Sequence, residues 1–419
     1  MVRQLNVKEN SVKFNMCLVT THFLPYRGGV ENYNIELVSF IRRKLGCDAC
    51  CTVLTYVNKE LFKDIELDNV MYINVPRCLF KIVTSLTTIK GFFIFVRTLL
   101  RILLLSLAFL KNLKRICECS FFVSSGAFVE TITTYVYARM FNRKYVVIWH
   151  TTLRHFLNNV LIRPLLIKAL TNKRVKGVIV NGLDVAKDVM KLGQKNVYVR
   201  KQYVDFNRFT IIDKEQARVK LRLPMNKIVI LYAAPLNKTK FADLMIEVAK
   251  KILPVDKDFY FIYIGEGPLE KSVKALVRRY PKNVLLINGF IPKDKLSLFI
   301  NASDLVIGAA DTYYISKLTA EALACGTPVL LPNVSIHDRS QKIRFNIGLQ
   351  NVLIVNPIAN EIALFLMKMK TLIKELSWST TVRIESRKYI INKYGDALYR
   401  DLRFILSSIM EIEVRSCRG

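Results

Sequence analysis

Residues 227–264 read KIVILYAAPLNKTKFADLMIEVAKKILPVDKDFYFIYI. The two ends, Lys227 to Ala233 and Phe259 to Ile264, are short continuous apolar runs, typical of strands that are buried on both faces of a sheet. Between them, Ala242 to Ile252 carries its apolar residues at helical spacing. A strand, a helix and a strand in this order predict a parallel βαβ unit, and therefore an α/β layer structure.

The same alternation extends in both directions along the chain. Further strands are predicted at Val12 to Thr20, Cys51 to Tyr56, Phe121 to Ser124, Tyr145 to Trp149, Gly177 to Val180, Val284 to Asn288, Leu305 to Gly308 and Pro328 to Leu331. Helices are predicted at Val30 to Lys44, Lys214 to Leu223, Leu269 to Arg279, Lys293 to Asn301 and Ser316 to Ala324. The pattern predicts two doubly wound, Rossmann-like domains, residues 1–208 and 209–384, followed by helices in residues 385–419. Such sheets bind ligands at the carboxyl ends of their strands, so a ligand cleft is expected between the domains.

The composition is that of a folded and strongly basic protein. The 419 residues include 64 Lys and Arg against 33 Asp and Glu, a formal net charge of +31 at pH 7, and 52% of them are hydrophobic. This apolar content excludes a disordered chain, and 16 Gly with 12 Pro exclude a collagen-like one. The charge favours anionic partners: a membrane surface, a phosphorylated substrate or nucleic acid. Nucleic acid is the least expected of these, because no basic stripe with interleaved aromatic residues is present.

Nine cysteines, an odd number, are scattered along a chain that is long enough to fold without disulfides. Reduced thiols are therefore expected. A metal site would require Cys47, Cys50 and Cys51 to meet Cys117 and Cys119 in space, and neither group has the paired spacing of a zinc ribbon. We predict buried structural cysteines and no metal.

The segment Ile89 to Leu110, IKGFFIFVRTLLRILLLSLAFL, is long enough to cross a bilayer. Arg97 and Arg101 interrupt it, so no uncharged run reaches the span of about 20 residues that a crossing requires. With Lys90 they share one helical face, the pattern of a helix lying in the membrane interface, although a core helix with a basic solvent stripe would give the same spacing. Three more cations follow directly: Lys111, Lys114 and Arg115. They favour peripheral membrane contact through residues 89–115.

The residues Met1 to Ser11 are polar and of mixed charge. They contain no apolar core in front of small residues, so no secretory signal is predicted. We expect a cytoplasmic protein that can lie peripherally on the inner face of the membrane.

Two turns rich in glycine lie at predicted strand ends. The first is HFLPYRGGVE, His22 to Glu31, where Gly28 and Gly29 let the backbone approach a ligand closely in front of a helix N-terminus. This suits a phosphate or another anionic oxygen, but a tight strand-to-helix turn would need the same glycines. The second is GEGP, Gly265 to Pro268, which occurs in many folds and is weak evidence alone.

A third segment, Tyr313 to Val329, predicts a loop, a helix, a glycine stop and a strand: YYISKLTAEALACGTPV. Ser316 can cap the helix, and the N–H groups of its first turn would then be available to a ligand. Glu321 stands in an otherwise apolar helix, where a carboxylate is costly unless it binds something. A solvated surface glutamate is the alternative.

In this order and at these distances, the segments resemble the glycosyltransferases of family 4, a large group with the two-domain GT-B fold. The resemblance spans nearly the whole chain. It is carried by FLPYRGGVE at Phe23 to Glu31, VIWHT at Val147 to Thr151, Val204-Asp205 followed by Phe209, GEGP at Gly265 to Pro268, Gly289, and EALACGTPV at Glu321 to Val329. It implies the GT-B fold, with residues 385–419 crossing back to the N-terminal domain.

The resemblance also implies an activity. A sugar would pass from a nucleotide-sugar donor on the C-terminal domain to a lipid-linked, polysaccharide or other glycan acceptor on the N-terminal domain, with retention of anomeric configuration and with neither a metal nor a cofactor. Catalysis would depend on His150, near the transferred sugar, and Lys240, which neutralises the departing diphosphate. Glu321 would bind the ribose hydroxyls. The implied donor-binding residues are Gly28, Gly29, Lys238, Gly265, Tyr313, Ser316, Lys317, Leu318 and Glu321, and the implied acceptor-binding residues are His22 and Arg27.

The chain departs from the family pattern in two places. Ala234 and Pro235 stand where a Gly-Arg pair is usual, so the arginine that accompanies Lys240 is missing and Lys238 is the candidate substitute. Tyr313 stands where a glutamate usually grips sugar hydroxyls. Two rival functions follow: a catalytically impaired GT-B protein that acts as a scaffold, motivated by these losses, and a glycosyltransferase of nucleic acid, motivated by the net charge.

Overall fold

The computed structural model describes residues 15–22, 29–45, 51–57, 70–76, 92–151, 153–160, 162–308, 316–332 and 352–410. The chain divides into two compact units, Met1–Arg200 together with Leu398–Gly419, and Lys201–Ala397. The sequence predicts domain boundaries after residue 208 and before residue 385. In the structure, the boundaries lie after Arg200 and after Ala397. Each unit is built on a parallel sheet, as the alternating pattern predicts.

The strands of the first unit are β1 (Met16–Val19), β2 (Cys51–Val57), β3 (Val70–Asn74), β4 (Phe121–Gly126), β5 (Lys144–Trp149), β6 (Val175–Val180) and β7 (Val197–Val199). They form one parallel sheet in the order β3-β2-β1-β4-β5-β6-β7. The central strands β1 and β4 pair with Met16 opposite Phe121, and every residue of both is buried. Burial on both faces explains why β1 is a continuous apolar run and why β4 begins with one, Phe121 to Val123.

Within the N-terminal part of the first unit, up to Arg200, the described helices are α1 (Gly29–Leu45), α2 (Phe92–Lys111), α3 (Leu113–Cys117), α4 (Phe128–Met140), α5 (Arg154–Leu157), α6 (Arg163–Thr171) and α7 (Leu183–Lys191). Helix α2 covers the segment for which membrane contact is predicted. No helix within the described ranges is long and apolar enough to cross a membrane.

The strands of the second unit are β8 (Ile228–Ala233), β9 (Phe259–Gly265), β10 (Val284–Asn288), β11 (Leu305–Ile307), β12 (Val329–Pro332) and β13 (Val352–Val355). They form a second parallel sheet in the order β10-β9-β8-β11-β12-β13. Each of its two faces carries a separate cluster of buried apolar side chains, so helices cover both faces. The strand order reverses between β8 and β11, as in Rossmann folds.

The helices of the second unit are α8 (Lys214–Leu221), α9 (Ala242–Ile252), α10 (Glu270–Arg279), α11 (Lys293–Ala302), α12 (Lys317–Ala324), α13 (Ala359–Lys368), α14 (Lys370–Trp378) and α15 (Thr380–Tyr394). The last helix, α16 (Ala397–Met410), belongs to the first unit from Leu398 onward. Of the predicted C-terminal segment 385–419, the part up to Tyr394 therefore lies in the second unit.

Strands β3, β7 and β13 are absent from the sequence prediction. Each is at an edge of its sheet and has one neighbouring strand. All three residues of β7 are half-buried, and β13 is half-buried or exposed throughout. Such edge strands are short and lack the apolar environment on both faces that marks a central strand.

Candidate active site

Of the donor-binding residues predicted in the second unit, Lys238 follows β8, Gly265 ends β9, and Ser316, Lys317, Leu318 and Glu321 belong to the helix that comes after β11. The strand order reverses between β8 and β11. This switch point is where open α/β sheets bind their ligands. Gly308 directly follows β11, and a Cβ on it would lie 2.6 Å from Oγ1 of Thr319 in α12. Only glycine therefore lets α12 begin so close to the end of β11.

Helix α12 begins at its predicted cap. Ser316 has an extended backbone, and its Oγ accepts a hydrogen bond from the N–H of Thr319 at 3.2 Å. The N–H groups of Lys317 and Leu318 lie in the same first turn, at the positive end of the helix dipole. The predicted phosphate-binding groups thus share one helix terminus, which is suited to an anion.

Glu321 lies one turn further along α12 and is only 5% exposed. In the part of the chain that the structure describes, its carboxylate makes no hydrogen bond. Burial raises the pKa of Glu321 to about 7, although the charges of Lys317 and Lys293 act against this shift. A largely buried carboxylate that accepts no hydrogen bond from the described residues is suited to a hydroxyl-bearing ligand.

The C-terminal end of α12 is fixed by Gly326 and Arg383. Gly326 has a φ of +72°, and a Cβ on it would lie 2.5 Å from the Cβ of Arg383. Arg383 donates hydrogen bonds to the carbonyl of Cys325 at 3.2 Å and to Oδ1 of Asn301 at 2.8 Å. The glycine therefore ends the helix and leaves room for the arginine, so α12 is held at both ends.

Lys238 and Lys240 lie on a 3₁₀ turn, Lys238–Lys240, that follows β8. Oδ1 of Asn237 accepts a hydrogen bond from the N–H of Lys240 at 3.0 Å, and the hydroxyl of Tyr232 donates to the carbonyls of Pro235 and Lys240 at 3.0 and 2.9 Å. Lys238 is exposed and Lys240 is half-buried. Backbone and cap contacts thus fix the turn that carries both lysines.

The GEGP turn packs against this loop. A Cβ on Gly265 would lie 2.2 Å from the carbonyl oxygen of Ala234, and one on Gly267 would lie 2.6 Å from that of Leu236. The N–H of Leu236 also donates to the carbonyl of Glu266 at 2.9 Å. The close approach of two backbone segments therefore accounts for both glycines, and Gly265 supports the loop that carries the two lysines.

Three predicted site residues, Arg27, Gly28 and Tyr313, lie outside the described residues. Gly29 is the first residue of α1 and is exposed, and a Cβ on it would meet open space. Packing within the described residues therefore does not require glycine at this position.

In the first unit, polar side chains gather after β1 and β4. Asn34 of α1 donates hydrogen bonds to Oγ1 of Thr20 at 3.1 Å and to the carbonyl of His22 at 2.8 Å, which ties the end of β1 to the helix. Nδ1 of His22 lies 2.9 Å from Oε1 of Glu31, and its Nε2 lies 3.9 Å from Oε1 of Glu130. His22, a predicted acceptor-binding residue, is thus held between two carboxylates.

Glu130 is buried in the first turn of α4. It accepts hydrogen bonds from the N–H of Ala127 at 2.8 Å and from the hydroxyl of Thr21. Burial acts to raise the pKa of Glu130, but the charges of His22 and Arg101 and these hydrogen bonds outweigh it, so the pKa is lowered. Glu130 is therefore a buried carboxylate that is charged at neutral pH and has partners for that charge.

His150 directly follows β5, and the protein engages both of its ring nitrogens. Nη2 of Arg200 lies 3.3 Å from Nδ1. Because a guanidinium only donates, Nδ1 accepts, and Nε2 carries the proton that it donates to Oγ of Ser125 at 2.8 Å. Burial, and then the charge of Arg200, hold the pKa of His150 well below 6.5. At neutral pH, His150 is an uncharged imidazole with a fixed tautomer.

Arg200 connects His150 to the C-terminal helix. Its guanidinium lies over the ring of Tyr33, 3.9 Å from the centroid, and its Nε donates to Oδ1 of Asn181 at 2.9 Å. The hydroxyl of Tyr33 donates to Oδ2 of Asp401 on α16 at 2.8 Å. Burial raises the pKa of Asp401 to about 6. A continuous set of contacts therefore joins the predicted catalytic histidine to the segment that returns to the first unit.

Most of this network was not predicted from the sequence: Asn34, Ser125, Glu130, Arg200 and Asp401. One of these residues has a local signal. Glu130 is the third residue of the helix that follows a strand-end glycine, a position where a carboxylate can bind backbone N–H groups. Arg200 and Asp401 have no such signal, because their partners are distant in the sequence.

No group of three or more His, Cys, Asp or Glu side chains that could hold a metal occurs in the described parts of the chain. Cys17, Cys51 and Cys119 are buried free thiols, as predicted. Cys117 is exposed at the end of α3, so the prediction of a buried thiol is wrong there. Cys47 and Cys50 lie outside the described residues.

Two Rossmann-like units of this topology define the GT-B fold, and comparison with solved structures confirms it. The HepE protein of Anabaena, solved in complex with UDP, is similar over 94% of this chain and 99% of its own, with 15% identity and a TM-score of 0.67. Sucrose-phosphate synthase from Thermosynechococcus elongatus is similar over 95% and 99%, with 16% identity and a TM-score of 0.70.

The sequence comparisons match part of the chain. Residues 213–340 match the model of the family described as Glycosyl transferases group 1. D-inositol 3-phosphate glycosyltransferase 1 of Catenulispora acidiphila is 26% identical over 137 residues, which are 30% of this chain and 33% of that protein. The chain thus matches about a third of the length of this curated relative. Residues 213–340 of the second unit thus resemble the group 1 glycosyltransferases, and the chain has the GT-B fold.

Proposed function

We propose that the protein transfers a sugar from a nucleotide-sugar donor to a lipid-linked or other glycan acceptor, with retention of anomeric configuration and without a metal. The proposal is carried by one observation: buried Glu321 and the first turn of α12 lie together at the switch point of the second sheet. The group 1 match over residues 213–340 supports it, and so do complexes of the similar HepE protein with UDP and with UDP-glucose.

The donor binds to the second unit. Glu321, as a carboxylate, accepts hydrogen bonds from the ribose hydroxyls, and the N–H groups of Lys317 and Leu318 bind the diphosphate at the positive end of α12. Lys240 neutralises the charge that develops on the departing diphosphate, and Lys238 takes the place of the missing arginine. A cation and oriented dipoles supply this stabilisation without a metal.

The acceptor binds to the first unit through His22 and Arg27, and His150 lies against the transferred sugar. His150 is uncharged and both of its nitrogens are engaged. Its role is therefore to present a fixed, neutral ring to the sugar rather than to transfer a proton. Residues 89–115 bring the protein to the inner face of a membrane, where a lipid-linked acceptor is available.

The test is calorimetric titration of the full chain with a panel of nucleoside diphosphates and their sugars. We expect selective binding of one nucleotide sugar, lost in Glu321→Ala and in Lys240→Ala. Matched controls are Glu247→Ala and Lys250→Ala on α9, whose side chains are an exposed ion pair, and these should bind like the wild type.

A folded wild-type protein that binds no member of the panel would contradict the proposal and favour the scaffold function. Salt-dependent binding to nucleic acid in place of a nucleotide sugar would favour the second rival. Loss of binding in the α9 controls would show that the effect of Glu321→Ala is not specific to the site.

A further inference from the structure

Helix α2 has two apolar faces, and the protein covers only one of them. Leu104, Leu105, Ala108 and Phe109 belong to the core of the first unit, where Phe109 stacks on Tyr137 with 3.6 Å between ring centroids. The other face is exposed to solvent, and its apolar members repeat every three or four residues. This leucine face consists of Val96, Leu99, Leu103, Leu107 and Leu110.

No charged side chain described in the middle of α2 interrupts the leucine face. Arg101 is half-buried, and its charge contributes to the lowered pKa of buried Glu130, so it faces the interior of the unit. The predicted basic face, on which both the membrane-interface helix and the core-helix alternative depend, is therefore wrong at Arg101: the leucines face the solvent and the arginine faces the protein. The side chains of Lys90 and Arg97 lie outside the described part of the structure.

The charges in and near α2 along the sequence identify what covers the leucine face. From Asn69 to Cys117 the sequence has no Asp or Glu, but it has eight cations: Arg77, Lys81, Lys90, Arg97, Arg101, Lys111, Lys114 and Arg115. The last three are exposed at the C-terminal end of the face. A second copy of the chain would bring another +31 against this surface. An apolar row bordered by cations instead matches a bilayer with anionic headgroups.

We propose that the leucine face of α2 inserts into the interface of an anionic bilayer, with Lys111, Lys114 and Arg115 on the lipid phosphates. The inference rests on the membrane contact proposed above and deepens it by naming the face and the lipid charge. It does not depend on sugar transfer. The cytoplasmic leaflet carries the anionic lipids that such a surface requires.

The test is vesicle flotation of the full chain, with phosphatidylcholine alone and with phosphatidylcholine mixed with phosphatidylglycerol. The wild type should float with the anionic vesicles at low salt and not with the neutral ones. Leu103→Glu with Leu110→Glu should lower the partition coefficient by about tenfold or more, since both leucines leave the apolar layer. Lys111→Glu with Lys114→Glu should also lower the partition coefficient on anionic vesicles by about tenfold or more, and high salt should have the same effect on the wild type.

The matched control is Leu183→Glu with Met190→Glu on α7 of the same unit. These two side chains are 57% and 56% exposed, against 53% for Leu103 and 62% for Leu110, so the change in charge and exposure is equal. The control should float like the wild type, and thermal unfolding should show that all variants are folded.

Equal flotation of the wild type and of Leu103→Glu with Leu110→Glu would overturn the assignment of the face. Failure of the wild type to float would overturn the membrane contact itself, and intact nucleotide-sugar binding in the same sample would separate that result from failure of the donor site. A dimer in solution that Leu103→Glu with Leu110→Glu makes monomeric, without flotation, would assign the face to a second copy.

Discussion

Two buried sites, one in each unit, hold their polar groups in opposite ways. In the second unit, the carboxylate of Glu321 is buried and makes no hydrogen bond within the described residues. In the first unit, each ring nitrogen of His150 has a protein partner, and the carboxylate of Glu130 accepts two hydrogen bonds. A buried polar group without partners is costly, whereas a complete network is not. The contrast separates a residue that awaits a ligand from residues that position one another.

The largest expected effect is the loss of donor binding in Glu321→Gln. The amide keeps the size of the side chain but removes the charge that strengthens its hydrogen bonds, so nucleotide-sugar affinity should fall by about 10- to 100-fold. At pH 8 the same variant should be more stable than the wild type, because it removes a carboxylate that burial penalises. Calorimetric titration and thermal unfolding at pH 8 measure the two effects.

Glu321→Gln is expected to lower nucleotide-sugar affinity and to raise stability, which a residue with a purely structural role would not do. Glu247→Gln, on the exposed face of α9, is the control and should change neither quantity. If Glu321→Gln lowered both nucleotide-sugar binding and stability, Glu321 would be a structural residue like Glu130. The contrast between these two buried carboxylates would then fail.

The next effect is a loss of stability in Gly126→Ala, which breaks the network of the first unit. The new methyl group would lie 2.2 Å from the carboxyl carbon of Glu130. We expect a decrease of about 1–3 kcal/mol in the free energy of unfolding, as for other overpacked positions. Urea unfolding measures it, and nucleotide-sugar binding should persist in the folded fraction.

A double-mutant cycle tests the cause. In the Glu130→Ala background the carboxyl group that meets the new methyl group is gone, so Gly126→Ala should cost less there, with a coupling of about 1 kcal/mol or more. Additive effects would mean that Gly126 does not act through Glu130.

A third effect is the pH dependence of donor binding. Because the pKa of Glu321 is about 7, its carboxylate forms as the pH rises through 7. Affinity for a nucleotide sugar, whose diphosphate diester does not titrate in this range, should increase about tenfold from pH 6 to pH 8. Calorimetry over this range measures it, and a flat profile in the wild type would show that binding does not require the carboxylate.

The raised pKa of Glu321 also makes the free energy of unfolding depend on pH. The pKa of Glu321 is raised on folding, so the native state holds a proton that the unfolded chain has lost between about pH 4.5 and 7. The protonated carboxyl group therefore contributes fully to the free energy of unfolding below about pH 4.5, and this contribution is lost as the pH rises to about 7. Glu321→Gln should remove this decline from the profile of stability against pH.

The fold was predictable because its central strands are apolar on both faces. Strands β1 and β8 are continuous apolar runs and β4 begins with one. All three lie between helical segments and occupy the centres of the two sheets. The edge strands β3 and β7 were not predicted, whereas the edge strand β10 was, because Val284 to Ile287 is a continuous apolar run. A continuous apolar run thus indicates a strand, and the signal is clearest for strands that are buried on both faces.

The same reasoning explains which site residues were predictable. Ser316, Glu321 and Gly326 lie within one short helix and its ends, so local spacing brings them together. The contact between Tyr33 and Asp401 joins residues 368 positions apart, and that between His150 and Arg200 spans 50 positions. Only the completed sheet and the return of α16 create these contacts. The predicted donor site is therefore built from residues that are close in the sequence, whereas the network around His150 is built from residues that are far apart in it.

The smallest expected effect concerns that network. Burial is the main cause of the lowered pKa of His150, and the charge of Arg200 is the second. Arg200→Gln should therefore raise this pKa without restoring its ordinary value. The carbon-bound ring protons of His150, followed by NMR as the pH is lowered, report the change.

Arg154→Gln is the control, since Arg154 is an exposed arginine of the same unit that pairs with Asp188. It should leave the titration of His150 unchanged. If Arg200→Gln also left it unchanged, the hydrogen bond to Nδ1 would not hold in solution, and His150 could accept a ligand as Glu321 does. A rise in the pKa would instead show that the protein engages the histidine ring in solution, which is the property that distinguishes His150 from Glu321.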